Sequence, residues 1–161
     1  MLSKIKNKII KSDTDITEII NNIKSDSKTI SFTNGCFDII HRGHIEYLAQ
    51  ASELADIFII GLNTDASVSR LKGADRPVQD EDARAIILAA MEFVDYVIYF
   101  DEDTPYELIN LVKPNYLIKG SDYKPEDIVG FDILQKYGGK VKTINFIEGY
   151  STSKIIDKIR K

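Results

Sequence analysis

The chain has 161 residues, 21 Lys+Arg against 25 Asp+Glu, and a formal net charge of −4. That is one domain of roughly 100–200 residues, and 43% hydrophobic with 29% charged residues excludes a disordered polymer. The acidic total argues against gripping a nucleic-acid backbone, which needs a basic face, and the single cysteine, Cys36, excludes an internal disulfide. No apolar run approaches the ~20 residues of a membrane span, and the Lys-rich stretch from Lys4 to Lys11 lacks a signal peptide's apolar core, so a cytoplasmic protein with no membrane or nucleic-acid partner is expected.

Residues 1–27 read as an N-terminal helical extension. Its first dozen residues are expected to fray or to need a partner, and a helix then carries Ile16, Ile19, Ile20 and Ile23, opened by Asp13, Thr14 or Asp15. Residues 28–161 read as one domain, because short Ile/Val/Phe/Tyr runs alternate with helical patterns. That alternation predicts an α/β fold, a Rossmann-like doubly wound sheet of about five parallel strands with helices on both faces. The predicted strands are Thr29 to Thr33, Ile57 to Leu62, Tyr96 to Phe100, Tyr116 to Ile118 and Val141 to Phe146. Between them, Ile45, Leu48, Ala49 and Ser52, and again Ala83, Ile86, Ile87 and Ala90, follow the spacing of a helix with one buried stripe. Thr104-Pro105-Tyr106-Glu107 reads as a capping box with Pro at the first helical position, and that helix is expected to stop before Lys113-Pro114. Gly138-Gly139 is the expected turn into the last strand and Gly149 the turn out of it.

In an open parallel sheet, ligands sit beyond the carboxyl ends of the strands, where strand order reverses. Here the strand beginning at Thr29 runs out into Asn34-Gly35-Cys36-Phe37-Asp38-Ile39-Ile40-His41-Arg42-Gly43-His44, with a helix starting at about Gly43. This is neither G-x-G-x-x-G nor G-x-x-x-x-G-K-[ST], which argues against hydride chemistry and phosphate-loop hydrolysis. The only two histidines, His41 and His44, lie at a helix N-terminus, where backbone N–H groups and the dipole favour an anion and Gly43 lets a ligand come close. A polyphosphate is the expected guest. A simple cap or half of a zinc site with Cys36 are the alternatives, and zinc would need a fourth ligand that is not evident. Cys36 is either a nucleophile activated by His or a small packed residue. Ser151-Thr152-Ser153 open the final helix, as a cap or as a second anion site.

Read in order, Phe32-Thr33-Asn34-Gly35-Cys36-Phe37-Asp38, His41-Arg42-Gly43-His44, Gly61-Leu62-Asn63-Thr64-Asp65, Arg70-Leu71-Lys72-Gly73 with Arg76-Pro77, Val94-Asp95-Tyr96, Asp101-Glu102-Asp103-Thr104-Pro105, Lys119-Gly120-Ser121-Asp122-Tyr123 and Glu148-Gly149-Tyr150-Ser151-Thr152-Ser153 resemble the nucleotidyltransferases that carry a His-x-Gly-His motif. Within them the likeness is to the D-glycero-β-D-manno-heptose 1-phosphate adenylyltransferases, over nearly the whole chain from Lys28. The resemblance implies transfer of AMP from ATP to a heptose 1-phosphate, with release of pyrophosphate and Mg²⁺ held mainly by the phosphates and water rather than by protein ligands. It implies that His41, His44 and Lys72 are catalytic. It places the nucleotide against Thr33, Asn34, Gly35, Cys36, Phe37, Asp38, Gly43, Lys119, Gly120, Tyr150, Ser151, Thr152 and Ser153. The sugar phosphate would meet Asn63, Asp65, Arg70, Arg84 and Asp122. Plainer readings stand beside these: Thr64 or Asp65 as a helix cap, Arg84 snorkelling to solvent, and Lys119 to Asp122 as an ordinary turn.

The sequence departs from the family in carrying Ser121 where Gly is commoner and Ser153 where Thr is commoner. Many members also carry a sugar kinase domain ahead of the transferase, so separate kinase and phosphatase enzymes are expected to supply the heptose 1-phosphate, and a homodimer is expected. Two other functions fit the motifs. One is a CTP-dependent transferase acting on glycerol 3-phosphate or another alcohol phosphate, disfavoured because Asn145-Phe146-Ile147-Glu148 lacks the Arg those enzymes carry near that point. The other is a nucleotide-binding sensor without turnover.

Overall fold

The apolar runs of the sequence become a sheet in which every paired strand is parallel. The computed structural model describes residues 1–161, and its elements in chain order are α1 (Leu2–Lys6), β1 (Ile9–Ile10), α2 (Asp13–Ser25), β2 (Ile30–Gly35), α3 (Arg42–Ser52), β3 (Ile57–Asn63), α4 (Asp65–Lys72), α5 (Glu81–Ala89), β4 (Tyr96–Phe100), α6 (Tyr106–Val112), β5 (Tyr116–Gly120), a 3-10 turn at Pro125–Asp127, α7 (Phe131–Tyr137), β6 (Lys140–Ile144) and α8 (Thr152–Ile159). The six strands lie in the order β1-β4-β3-β2-β5-β6. From β2 the chain winds outward through β3 to β4, then crosses back to place β5 on the other side of β2. The reversal therefore falls between β2 and β5, and it fixes where a ligand can enter.

Successive residues of β2 feed opposite faces of the sheet, the strand period of two. Ile30 and Phe32 join the core covered by α2, α6 and α7. Across the sheet, Phe58, Ile60 and Leu62 of β3 pack against Tyr47, Leu48 and Ala51 of α3 and Ala85, Leu88 and Ala89 of α5. Helices on both faces explain why the strands read as near-continuous apolar runs instead of alternating ones.

Several expected details shift. The first dozen residues, expected to fray, form α1 and β1, and β1 pairs in parallel with β4 through Ile9 opposite Val97 and Ile10 opposite Ile98. This is the sixth strand, and two residues are too few to carry a pattern. Ser12, rather than Asp13, Thr14 or Asp15, caps α2 by accepting from the Asp15 N–H. The stripe of α3 is Gly43, Tyr47, Leu48 and Ala51, rotated about one residue from the expected set, and that of α5 is Arg84, Ala85, Leu88 and Ala89, on the face opposite the expected Ala83, Ile86, Ile87 and Ala90. Small residues such as Ala and Ser mark a stripe weakly, and in α5 the true stripe contains an arginine. The box at Thr104 does not form, since Pro105 is the cap position and no side chain caps α6. That helix ends at Val112 as expected, with Lys113 left-handed. The last strand stops at Ile144, which frees Phe146 for the site described next.

Candidate active site

A cavity of about 340 Å³ opens beyond the carboxyl ends of β2 and β5, at the reversal of strand order. Its walls include Asn34, Gly35, Cys36, Phe37 and Asp38 from the end of β2, His44 and Tyr47 from α3, Lys72, Arg76, Lys119, Gly120, Asp122, Tyr123, Phe146 and Thr152. Glycine at the end of β5 leaves room for the ring of Phe146, which occupies the space a Cβ on Gly120 would need. That ring in turn stacks on Tyr47, with centroids 5.2 Å apart. Phe37 adopts a positive φ of 44°, a costly conformation for an aromatic residue of the kind that gathers at functional sites, and its ring meets His44 edge-on at 5.5 Å.

The two histidines are stacked, with centroids 3.9 Å apart and planes 21° from parallel. His41 caps α3, its Nδ1 accepting from the His44 N–H at 3.4 Å. His44 itself lines the cavity, and its buried Nδ1 has no partner. Burial, reinforced by the charges of His41 and Lys72, lowers His44 to about 4, so it is a neutral imidazole at pH 7 and can offer one N–H. Burial lowers His41 as well. At the far rim Ser151 caps α8, accepting from the Lys154 N–H at 3.2 Å. Thr152 donates to the Ile39 carbonyl at 3.3 Å, tying the start of α8 to the histidine loop. The first turns of α3 and α8 thus both border the cavity, through His44 and Thr152, an arrangement suited to phosphates.

The charged residues divide by whether the protein already uses them. Asp38 is buried and accepts from the N–H groups of Val78 and Gln79 at 2.9 Å and from Arg76 at 2.7 Å. Burial alone would raise its carboxyl, and these donors outweigh burial and hold it below the ordinary carboxylate range. Arg84, with 0% exposure, donates to the Cys36 carbonyl at 2.6 Å, the Gln79 carbonyl at 3.1 Å and Asp65 at 2.7 Å. Both therefore brace the loop behind Cys36. By contrast Lys72 and Lys119 pair with no carboxylate, and the ammonium of Lys119 donates only to Asn34 Oδ1. Burial lowers Lys119 to about 8. The thiol of Cys36 is pushed up by burial, against the opposing pull of Lys72, Arg84 and Arg76, which keeps it protonated and unsuited to nucleophilic attack.

The structure thus gathers Asn34 to Asp38, His44, Lys72, Lys119, Gly120, Asp122 and Thr152 around one cavity, with His41 and Ser151 beside it. Gly43, buried in α3, has room for no more than a tight Cβ between the His41 ring and Tyr150, and Tyr150 stacks near His41 at 6.3 Å. Ser153 follows Thr152 in the first turn of α8. Five expected residues, Thr33, Asn63, Asp65, Arg70 and Arg84, are engaged elsewhere. Thr33 is fully buried, bonded to the Tyr47 hydroxyl and the Ile118 carbonyl. Asn63 is buried and bonded to Ser67. Arg70 points to Asp103 and the Asp101 carbonyl. Arg84 is the brace described above and does not snorkel. Asp65 pairs with it, while Thr64 provides the cap of α4. Sequence reasoning missed Tyr47, Arg76, Tyr123 and Phe146 on the cavity wall. Phe146 was hidden by its assignment to a strand, and Arg76 and Tyr123 sit beside Pro77 and Asp122 with no spacing that sets them apart.

A family model described as cytidylyltransferase-like matches residues 32–158. The chain belongs to the cytidylyltransferase-like family. Curated relatives named "Bifunctional protein HldE" include one from Trichlorobacter lovleyi, 50% identical over 157 residues, covering 98% of this chain and 31% of the relative. One from Campylobacter jejuni subsp. jejuni serotype O:6 is 57% identical over 143 residues, covering 89% and 30%. The chain therefore spans about a third of the length of the relatives it matches. Among solved structures, a lipopolysaccharide core biosynthesis protein from Thermoplasma volcanium is similar at a TM-score of 0.60 with 27% identity, over 77% of this chain and 99% of that one. A pantoate-beta-alanine ligase from Francisella tularensis shares the fold at a TM-score of 0.62 with 17% identity, over 90% of this chain and 68% of that one. The family's matched span begins at the strand β2 and takes in the whole cavity. No helix of the chain is long and apolar enough to cross a membrane.

Proposed function

We propose that this chain transfers AMP from ATP to D-glycero-D-manno-heptose 1-phosphate, giving ADP-heptose and pyrophosphate for a surface glycan such as lipopolysaccharide. The observation that carries the reading is one cavity holding His44, Lys72 and Lys119, none engaged by a carboxylate, between the N-termini of two helices. An oxygen of the acceptor phosphate attacks the α-phosphorus, the bond from that phosphorus to the β-bridging oxygen breaks, and pyrophosphate leaves. Such a displacement needs positioning and donors aimed at developing charge more than it needs an acid or a base. His44, a neutral imidazole on the cavity wall, donates its N–H to the α-phosphate as its oxygens gain charge, and His41 holds the adjoining phosphates. Lys72 neutralises donor and acceptor. Thr152, Ser151 and Ser153 meet the outer phosphates with the N–H groups of α8.

No group of three or more His, Cys, Asp or Glu side chains is arranged to hold a metal ion. Mg²⁺ would arrive on the triphosphate, since this cation keeps most of its waters and needs one or two carboxylates at most. Asp122, exposed on the cavity wall and unpaired, is the carboxylate that would hold it, and Asp38 is already committed to Arg76. When bound, the ion spreads the charge of the phosphates.

The reading places the protein in the cytoplasm, where ATP is, as a homodimer that takes its acceptor from a heptose kinase and a phosphatase. Pyrophosphate release in millimolar Mg²⁺ tests it, with ATP, CTP, GTP and UTP each offered with the heptose 1-phosphate and with glycerol 3-phosphate. Release confined to ATP with the heptose phosphate is expected, and excess EDTA should abolish it. Release with CTP and glycerol 3-phosphate would replace the assigned substrates, and silence throughout would favour a sensor.

A further inference from the structure

A second cavity, of about 230 Å³, lies against the first, and Lys119 and Tyr123 line both. Its remaining walls come from two loops, the one after β4 with Asp103, Thr104 and Pro105, and the one around the 3-10 turn with Asp127, Ile128 and Val129. We propose that this second cavity is the acceptor subsite, seating the sugar ring and side chain while Lys119, on the boundary, holds the acceptor phosphate. The assignment rests on the transferase reading above and deepens it.

The walls of the two cavities differ in chemistry. The first carries the aromatic rings of Phe37, Tyr47 and Phe146, flat apolar surfaces suited to a nucleobase. The second has no aromatic ring besides the shared Tyr123. It offers the carboxylates of Asp103 and Asp127 and the hydroxyl of Thr104 over an apolar floor of Pro105 and Ile128, and carboxylates that only accept hydrogen bonds are matched to the hydroxyls of a polyol. Asp103 is held in place by Arg70, whose Nε donates to it at 3.0 Å. This gives Arg70 a positioning role behind the sugar in place of contact with a phosphate.

Lys119 is where the reaction needs a cation. An ammonium has three donors, and here one is spent, on the neutral amide oxygen of Asn34, with no carboxylate within 4.0 Å. A largely buried cation with no counter-ion is costly, and an anion delivered to the boundary removes that cost. The attacking phosphate must stand at this boundary, because it has to reach the α-phosphate beside His44 while its sugar occupies the adjoining space. The proton on Lys119 stays there throughout. Both cavities are small, and joined at Lys119 they fall in the range of about 300–1,000 Å³ usual for small-molecule sites.

The test is calorimetric and independent of turnover. Heptose 1-phosphate is titrated into protein saturated with Mg²⁺ and α,β-methylene ATP, and the analogue is titrated separately. Val129, 37% exposed, can be enlarged without disturbing the core. Val129→Trp should weaken heptose phosphate at least tenfold and leave the analogue within twofold. Lys119→Met should weaken the same arm by a similar factor, and Lys119→Arg should recover part of it. Weakened analogue binding with the sugar arm unchanged would assign the second cavity to the nucleoside and overturn the proposal, as would two variants that move neither arm. The two failures separate. A wild-type protein silent in the pyrophosphate assay defeats the transferase reading and this assignment with it, whereas turnover by both wild type and an unaffected Val129→Trp defeats the assignment alone.

Discussion

Two groups of charged residues border the end of β2, and the protein uses them differently. Behind Cys36, the carboxylates of Asp38 and Asp65 and the guanidinium groups of Arg76 and Arg84 satisfy one another and the backbone at 2.6–3.1 Å. Across the cavity, His44, Lys72, Lys119 and Asp122 have few partners or none. A side chain already engaged in the resting protein cannot strengthen its contacts as the transition state forms, and only such strengthening accelerates a reaction. The first group therefore keeps the loop in shape, and the second is available for chemistry. Nearness to the cavity does not separate them, since Asp38 and Arg76 line it too.

If the division is right, variants of the two groups fail in different ways. His44→Ala should lower kcat by about 10²–10³-fold, the usual effect of removing one donor to developing charge, with a smaller change in the KM for ATP and little change in Tm. Equal losses in binding and turnover would mean that His44 contacts only the ground state. Arg84→Met should act through folding, because it removes three bonds and leaves Asp65 without its partner. A fully buried pair broken in this way costs about 3–5 kcal/mol, and the partial exposure of Asp65 puts the expected loss below that. A stable Arg84→Met protein with a selective loss of kcat would break the division. A milder test uses pH. His44 folds with its pKa lowered to about 4 against about 6.5 when unfolded, so the unfolded chain takes up a proton first as pH falls from 6.5 toward 4. Stability should therefore drop across that window and be fully present above it. His44→Asn should flatten the slope of Tm against pH, and an unchanged slope would show that His44 is not buried as described. Ser121→Gly should stay within twofold of wild type in kcat/KM, and a loss beyond about tenfold would show that the serine has a role.

The strands were legible because a sheet covered on both faces demands unbroken apolar runs, which Ile57–Asn63 and Tyr96–Phe100 supply. The site's location was legible for a related reason, since histidines and glycines at the end of the strand entering α3 stand out against an apolar background. What the sequence hid was partnership. Arg84 reads like any surface arginine on a helix, yet the carbonyls of Cys36 and Gln79 that receive it lie 48 and 5 residues away. Asp65 reads like a free carboxylate at the mouth of the cleft for the same reason. The aromatic wall was hidden too, because Tyr47 is one turn beyond the motif and Phe146 reaches the site only through the early end of β6.

The short strand β1 also bears on the integrity of the whole sheet. It covers the outer edge of β4, where Val97 donates its N–H to the Lys8 carbonyl at 2.9 Å. Lys8 Nζ in turn reaches the carbonyls of Met91 and Val94 at 3.2 and 2.6 Å, and Lys11 pairs with Asp82 at 3.0 Å. Those bonds run to α5 and the turn after it, and α5 carries Arg84. A chain beginning at Asp13 would present β4 as a bare edge whose Val97 and Ile98 are now buried, the kind of edge that recruits strands from other molecules. Removing a dozen residues remote from the cavity would thus turn a self-contained sheet into one prone to aggregation, while loosening the helix that holds the Cys36 loop.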